Sequence, residues 1–211
     1  MEIEIAGQQA LLLPEKALYF PENKTLVVAD VHWGKAGHFR KHGIAIPAKS
    51  TGGNAERLSG VILKTSAQTV VFAGDLFHSR HNNEVEAFRE WRAHFPQIRF
   101  ELVVGNHDIL SEAFYECCNL ELFPEKKDLD GISIWHDAPA EINAFVIHGH
   151  IHPGIKLFGK GRQQVAVPCF AIDDKRLILP AFGDFTGCFY LNPRDFRQLY
   201  AVTDTAVMQV K

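Results

Sequence analysis

Short apolar runs recur along the whole chain, at residues 2–5, 26–29, 69–73, 100–104, 132–135, 145–148, 165–171, 176–179 and 187–191. Their length and composition predict strands. Helical signals are fewer and cluster in the first half, most clearly at residues 54–65 and 85–95; in the second, Val85, Phe88, Trp91 and Phe95 stand three or four apart on one face. From about Ser133 onward the pattern is almost purely β, punctuated by Pro153, Gly154, Pro168, Pro180, Gly183 and Gly187. No repeat or low-complexity linker divides these segments. The pattern predicts one α/β domain over residues 1–211, a mixed sandwich whose helices flank mainly its N-terminal half.

Composition adds bounds to that picture. With 211 residues, 46% apolar and 22% charged, the chain can bury a substantial core. Apolar runs such as 26–29 and 70–73 fall far short of the roughly 18 residues a membrane span requires. The first residues, MEIEIAGQQALLLPEK, carry Glu2 and Glu4 before a brief apolar run, the wrong charge and length for a secretory signal. A soluble, cytoplasmic protein without membrane association is the expectation. Cys117, Cys118, Cys169 and Cys188 include no CxxC pair and are expected as buried thiols. A net charge of −3 excludes the global basic excess of a duplex-coating protein, leaving a local basic face open.

Histidine changes the picture most: 11 residues, more than Tyr, Trp and Met together. Their placement is ordered. Five apolar runs lead into polar groups able to bind metal: TLVVA into Asp30 and His32, TVVFAG into Asp75, FELVVG into Asn106, His107 and Asp108, GISIW into His136, and AFVIHG into His150 and His152. Strands ending in such groups deliver them to the carboxyl edge of a sheet, where open α/β folds gather their chemistry. In extended chain, residues i and i+2 share a side, so Asp30 with His32, and His150 with His152, are each expected to pinch one ion. Gly74, Gly105 and Gly149 each precede a candidate ligand, where a missing Cβ lets the backbone turn out of the strand.

Carboxylates, an amide and imidazoles without thiolate favour manganese, iron or zinc over calcium or magnesium. Seven candidate ligands exceed the three or four that one catalytic zinc uses, so two ions sharing a carboxylate is the economical arrangement. Other catalytic templates are missing from the sequence: it has no Gly-x-Ser-x-Gly elbow, no phosphate-binding Gly-x-x-x-x-Gly-Lys loop and no His-Glu-x-x-His helix. Metal-assisted hydrolysis is what remains.

In order, DVH, GDLFH, GNHD, the solitary His136 and GHIH resemble the five motifs of the calcineurin-like metallophosphoesterases. GDLFH looks like the SbcD-type nucleases. DVHWGK, GHIHPG, PCF and LPAFGDFTG are similar to the bacterial DNA-ligase-associated metallophosphoesterases, extending the resemblance to about Cys188. This implies a four-layer α-β-β-α sandwich, two mixed sheets flanked by helices, with a binuclear centre at the strand ends. Carried over to this sequence, Asp30, His32, Asp75 and His152 hold one ion, and Asp75, Asn106, His136 and His150 the other. His107 is implied as general acid or transition-state stabiliser, with Asp108 orienting it. His148 competes with His136 for the solitary-histidine position, since it shares a strand face with His150.

The implied chemistry is in-line attack on a phosphoester by a metal-bridging hydroxide, with two divalent ions, manganese first among them. Lys35, His38, Arg40, Lys41, His42, His78, Arg80 and His81 follow the first two motifs and are expected as a substrate rim. His78 is the best single substrate contact and Arg80 the next. A nuclease acting on DNA in repair is the leading expectation; an ATP-dependent DNA ligase and a helicase are partners suggested by the resemblance alone. The enzymatic alternatives are a phosphomonoesterase, a protein phosphatase or a cyclic-nucleotide phosphodiesterase, because the motifs define metal chemistry and leave the leaving group open. A non-catalytic scaffold is the alternative from another class. Phe185 and its LPAFGDFTG surroundings are expected to be a packing turn.

Overall fold

The structure, a computed structural model, describes residues 1–35, 53–78, 83–159, 161, 163–184 and 186–211. Its first sheet has seven strands in sequence order: β1 (Glu2–Ile5), β2 (Gln8–Leu13), β3 (Ala17–Phe20), β4 (Thr25–Val28), β5 (Thr69–Ala73), β6 (Arg99–Val103) and β7 (Leu120–Phe123). The strands from β1 to β4 form an antiparallel meander, and those from β4 to β7 run parallel. The helices α1 (Gly53–Thr65), α2 (Asn83–Ala93) and α3 (Glu112–Cys117) lie in the connections of the parallel half. Parallel neighbours require such crossovers.

The second sheet contains β8 (Lys126–Leu129), β9 (Ile132–Trp135), β10 (Phe145–His148), β11 (Pro153–Phe158), β12 (Gln164–Ile172), β13 (Arg176–Ile178), β14 (Phe189–Tyr190), β15 (Gln198–Val202) and β16 (Val207–Gln209). Its order is β14-β11-β12-β13-β10-β9-β8, with β15 joined to β12 and β16 to β15. The strands β9, β10 and β13 are parallel; the long β12 runs antiparallel to β11, β13 and β15.

Alternation along the central strands builds two cores. Val27, Val71 and Val103 face the second sheet and meet Ile134, Ile147, Phe170 and Leu177. Their neighbours Leu26, Val28, Val70, Phe72, Phe100 and Leu102 face outward against Leu58, Val61 and Ile62 of α1, Val85 and Phe88 of α2, and Phe114 and Tyr115 of α3. Strands covered on both faces read as continuous apolar runs, which is why they stood out in the sequence. On the outer face of the second sheet, Cys169, Ala171, Ile178, Leu199 and Ala201 pack with Phe196, which follows the 3₁₀ turn Pro193–Asp195. Several of these side chains are small. The three described α-helices cover the first sheet, and among the described residues the second carries only this lighter cover. No described helix is long and apolar enough to cross a membrane.

The two mixed sheets and flanking helices agree with the expected sandwich. All nine expected strands occur with small shifts at their ends, except that residues 187–191 contract to Phe189–Tyr190. The pattern missed β2, β3, β7, β8, β11, β15, β16 and α3. Lys126–Leu129 is a largely polar strand with no apolar run, and the six-residue α3 is too short to show a period.

Candidate metal centre

The five ligand-bearing loops leave the C-terminal ends of β4, β5, β6, β9 and β10, so both sheets contribute to one edge. Asp30, His32, Asp75, His150 and His152 all have left-handed backbones, with φ of 52°, 47°, 50°, 69° and 53°. This conformation is uncommon outside glycine and persists only where surrounding structure enforces it. The expectation of extended i, i+2 pairs is thereby corrected: the chain has left the strand at each of these residues. A tight coil, rather than a pleat, aims the side chains.

The side chains gather into two groups, Asp30 with His32 and His152, and Asp75 with His136 and His150. Within each, one potential ligand atom per residue lies within 4.8 Å of the others. His150 and His152 therefore do not pinch a common site as their spacing suggested; one joins each group. His152 Nε2 lies 3.4 Å from Asp30 Oδ1, and His136 Nε2 lies 3.6 Å from Asp75 Oδ1. The groups touch through the His150 backbone N–H, which donates to the Asp30 carboxylate at 3.0 and 3.2 Å.

The donor set fits divalent metal. Asp30, His32, Asp75 and His136 are all buried, and a buried carboxylate is costly without a compensating cation. His136 Nε2 and His150 Nδ1 face each other at 3.0 Å, an arrangement in which two lone pairs need a shared proton or ion. His32 Nδ1 is buried without a hydrogen-bond partner. Burial, followed by nearby Lys35 and the imidazoles of His152, His78 and His107, pushes the His32 pKa down to about 2. The neutral, ligating form thus prevails.

Two glycines permit this density. A Cβ on Gly74, whose φ is +79°, would lie 2.1 Å from His136 Nδ1. One on Gly149 would lie 2.5 Å from Asp30 Oδ2. The role of Gly149 is thus close approach, where a sharp turn was expected.

His148 belongs to neither group. It is fully buried, its Nδ1 lies 3.0 Å from the Gly149 carbonyl oxygen, and burial lowers its pKa to about 4. Asn106 is exposed on the loop after β6. Its neighbour His107 donates its backbone N–H to Asp75 Oδ1 at 2.9 Å and places its half-exposed ring with Nε2 4.0 Å from Asp75 Oδ2. The His107 ring stacks on His78 at 5.6 Å between centroids, and both rings stand edge-on to His32. His78 is thus brought beside His32 and His107.

Asp108 does something other than orient the His107 ring. Its Oδ1 accepts from Phe77 N–H at 3.0 Å and its Oδ2 from Gly105 N–H at 2.9 Å, tying the loop after β5 to the loop after β6. Burial pushes its pKa up to about 7. Of the expected rim, Lys35 lies near Asp30 and Asp75, whose charges act on it. His38, Arg40, Lys41, His42, Arg80 and His81 lie outside the described residues, as does Phe185.

Sequence reasoning missed a brace behind the first loop. Phe182 N–H donates to the Ala29 carbonyl at 2.8 Å and Gly183 N–H to the Asp30 carbonyl at 3.0 Å. Asn54 Nδ2 donates to the Val31 carbonyl at 3.1 Å. Arg57 joins these parts, donating to Asn54 Oδ1, Asp184 Oδ1 and the Phe182 carbonyl, with its guanidinium over the Phe182 ring. The LPAFGD stretch, expected only to turn, holds the Asp30–His32 segment in its coil. No sequence signal ties Asn54 and Arg57 to Asp184, because the contacts span about 130 residues.

A search of curated proteins finds none that matches the chain. Among solved structures, the Pseudomonas putida nuclease MPE superposes with a TM-score of 0.85 at 28% identity, covering 100% of this chain and 99% of that one. Yfce, a phosphoesterase from E. coli, gives a TM-score of 0.48 at 14% identity over 88% of this chain and 97% of its own. Residues 24–174, from the start of β4 to just past β12, match the family described as Calcineurin-like phosphoesterase. With that match spanning all five ligand loops, the chain belongs to the calcineurin-like phosphoesterase family and is a metal-dependent phosphoester hydrolase.

Proposed function

We propose that this protein is a phosphodiesterase that cleaves nucleic acid at a binuclear metal centre, with DNA as its substrate and DNA repair as its setting. The observation that carries the binuclear part is the pair of three-residue ligand groups at one edge, joined where the His150 amide meets Asp30. The nucleic-acid part is supported by the likeness to a protein described as a nuclease. The repair setting and association with a DNA ligase or helicase rest on motif resemblance alone.

In this reading Asp30, His32 and His152 hold one ion, Asn106, His136 and His150 hold the other, and Asp75 serves both. Manganese is the first choice, with iron or zinc suited to the same donors. When bound, the ions polarise the phosphoryl oxygens and acidify water at neutral pH. The chain's own residues do the rest. The half-exposed His107 ring donates a hydrogen bond or proton to the oxygens on which charge develops. His78, stacked against it, contacts the neighbouring phosphate, and Lys35 and Arg80 extend the cationic rim. The 211 residues act as one domain.

Wild type, Asp75→Asn and His107→Ala should be compared on single-stranded DNA, duplex DNA, an aryl phosphodiester and an aryl phosphomonoester with manganese. We expect wild type to cleave DNA and the diester. His107→Ala should lose about 10²-fold or more in kcat while retaining metal, the size of a general acid–base contribution. Asp75→Asn should lose bound manganese together with activity. Wild-type activity confined to the monoester would overturn the nuclease reading.

A further inference from the structure

The hairpin formed by β11 and β12 rises past the edge where the ligand loops sit. Ala171 of β12 pairs with Ile178, and Ile178 lies level with His148 at the end of β10. The earlier residues of β12 therefore extend beyond that edge. The hairpin starts beside the candidate metal centre: Pro153, the first residue of β11, directly follows His152, and the Phe189 N–H of β14 donates to the His152 carbonyl at 2.9 Å.

The two faces of this hairpin are occupied differently. Ile155 and Leu157 contribute to the apolar cluster on the outer face of the second sheet. The opposite face continues from Phe170, which packs between the sheets, through Pro168, Ala166 and Gln164 at every second position. Cross-strand register sets Gly154, Lys156 and Phe158 beside these residues and Tyr190 beside Gly154. Above the core, then, the face directed toward the first sheet presents Tyr190, Lys156 and Phe158. Phe158 is 77% exposed and Tyr190 47% exposed, and Lys156 Nζ stands 4.9 Å above the Tyr190 ring.

Apolar rings left in water beside a cation are poor material for a core. Two rings to stack on and an ammonium to meet the backbone are what unpaired nucleotides require. At about 3.3 Å per strand residue, the row runs from roughly 7 Å to 20 Å beyond His152, long enough for several nucleotides. Resting on the nuclease reading above, we propose that Tyr190, Lys156 and Phe158 form a base-stacking wall that holds unpaired nucleotides of the substrate as they leave the metal centre. Its continuity with His152 argues for substrate over any other occupant.

The test compares hydrolysis of a single-stranded oligonucleotide with hydrolysis of an aryl phosphodiester too small to reach the wall. Relative to wild type, Phe158→Ala and Tyr190→Ala should each lower the ratio of kcat/KM on the oligonucleotide to that on the aryl diester by about tenfold, with the loss in KM. Phe158→Trp and Tyr190→Phe, which keep a ring, should hold the wild-type ratio. A double alanine variant with the wild-type ratio would overturn the wall while leaving the nuclease reading intact. An equal fall on both substrates would assign the rings a structural role and overturn it as well. So would sedimentation showing a wild-type dimer that the double variant dissociates, since the strip would then bind a second copy. A wild type that hydrolyses the aryl diester but no nucleic acid would remove the nuclease reading and the wall together.

Discussion

At the scale of single residues, the centre is held in an uncommon backbone state by what surrounds it. Asp30, a buried carboxylate with φ of 52°, receives the His150 amide on both oxygens while its own carbonyl receives Gly183 N–H. Gly149 leaves room for that carboxylate by lacking a side chain. Gly149→Ala would place a methyl group 2.5 Å from Asp30 Oδ2 and 2.6 Å from Ala29 Cβ. We expect the variant to lose at least tenfold in manganese affinity with its secondary structure intact, a comparison that metal titration and circular dichroism provide. Wild-type affinity would show that the Asp30 carboxylate can move without consequence. Asp108 teaches a complementary lesson: adjacent to His107 in sequence, it serves the backbone of two loops instead of the neighbouring ring.

At the scale of elements, the parallel strands carry the ligands and α1 steadies one ligand loop from behind. Asn54 and Arg57 reach from the first turns of α1 to Val31, Phe182 and Asp184, so hydrogen bonds tie the helix, the first loop and the LPAFGD turn together. Groups that support ligands without binding metal commonly contribute ten- to a hundredfold in affinity. Asn54→Ala and Arg57→Ala should each weaken manganese binding within that range. Occupancy of the Asp30 group should fall before that of the Asp75 group, which electron paramagnetic resonance of bound manganese can resolve. Equal weakening of both groups would mean a general loss of packing. Much at this scale was legible in the sequence, because strands buried on both faces announce themselves as apolar runs ending in Asp, Asn or His. Less legible were β8, whose polar residues pair at the end of the sheet, and β11, whose Pro-Gly start reads as a turn.

At the scale of the whole molecule, metal and fold are linked. Both sheets supply residues of the two candidate groups, so an ion that bound only the native arrangement would also hold the sheets together. With manganese at about 100 times its Kd, stabilisation is about 2.7 kcal/mol, which for a chain of this length raises Tm by roughly 5–10 °C. Thermal unfolding with manganese and with a chelator should show that difference. It should shrink in Asp75→Asn, which removes a carboxylate from the group nearest His107. An unchanged Tm would place metal binding outside the folded centre.

Taken alone, the sequence determined the α/β class, the strand ends and the residue types that face metal, because each depends on local alternation and on chemistry carried by one residue at a time. By spacing alone it paired His150 with His152 and gave His148 a claim beside His136, while motif resemblance favoured His136 and already set His152 with Asp30 and His150 with Asp75. Tertiary structure supplied the physical cause of the division, which spacing had missed: left-handed backbone at these loops sends His150 to Asp75 and His152 to Asp30, and His148 stays inside the sheet. It also brought Asn54 and Arg57 to Asp184, and set Phe158 and Tyr190 along the hairpin that follows His152. Such placements depend on the packing of distant segments and on cross-strand register, neither of which local periodicity encodes.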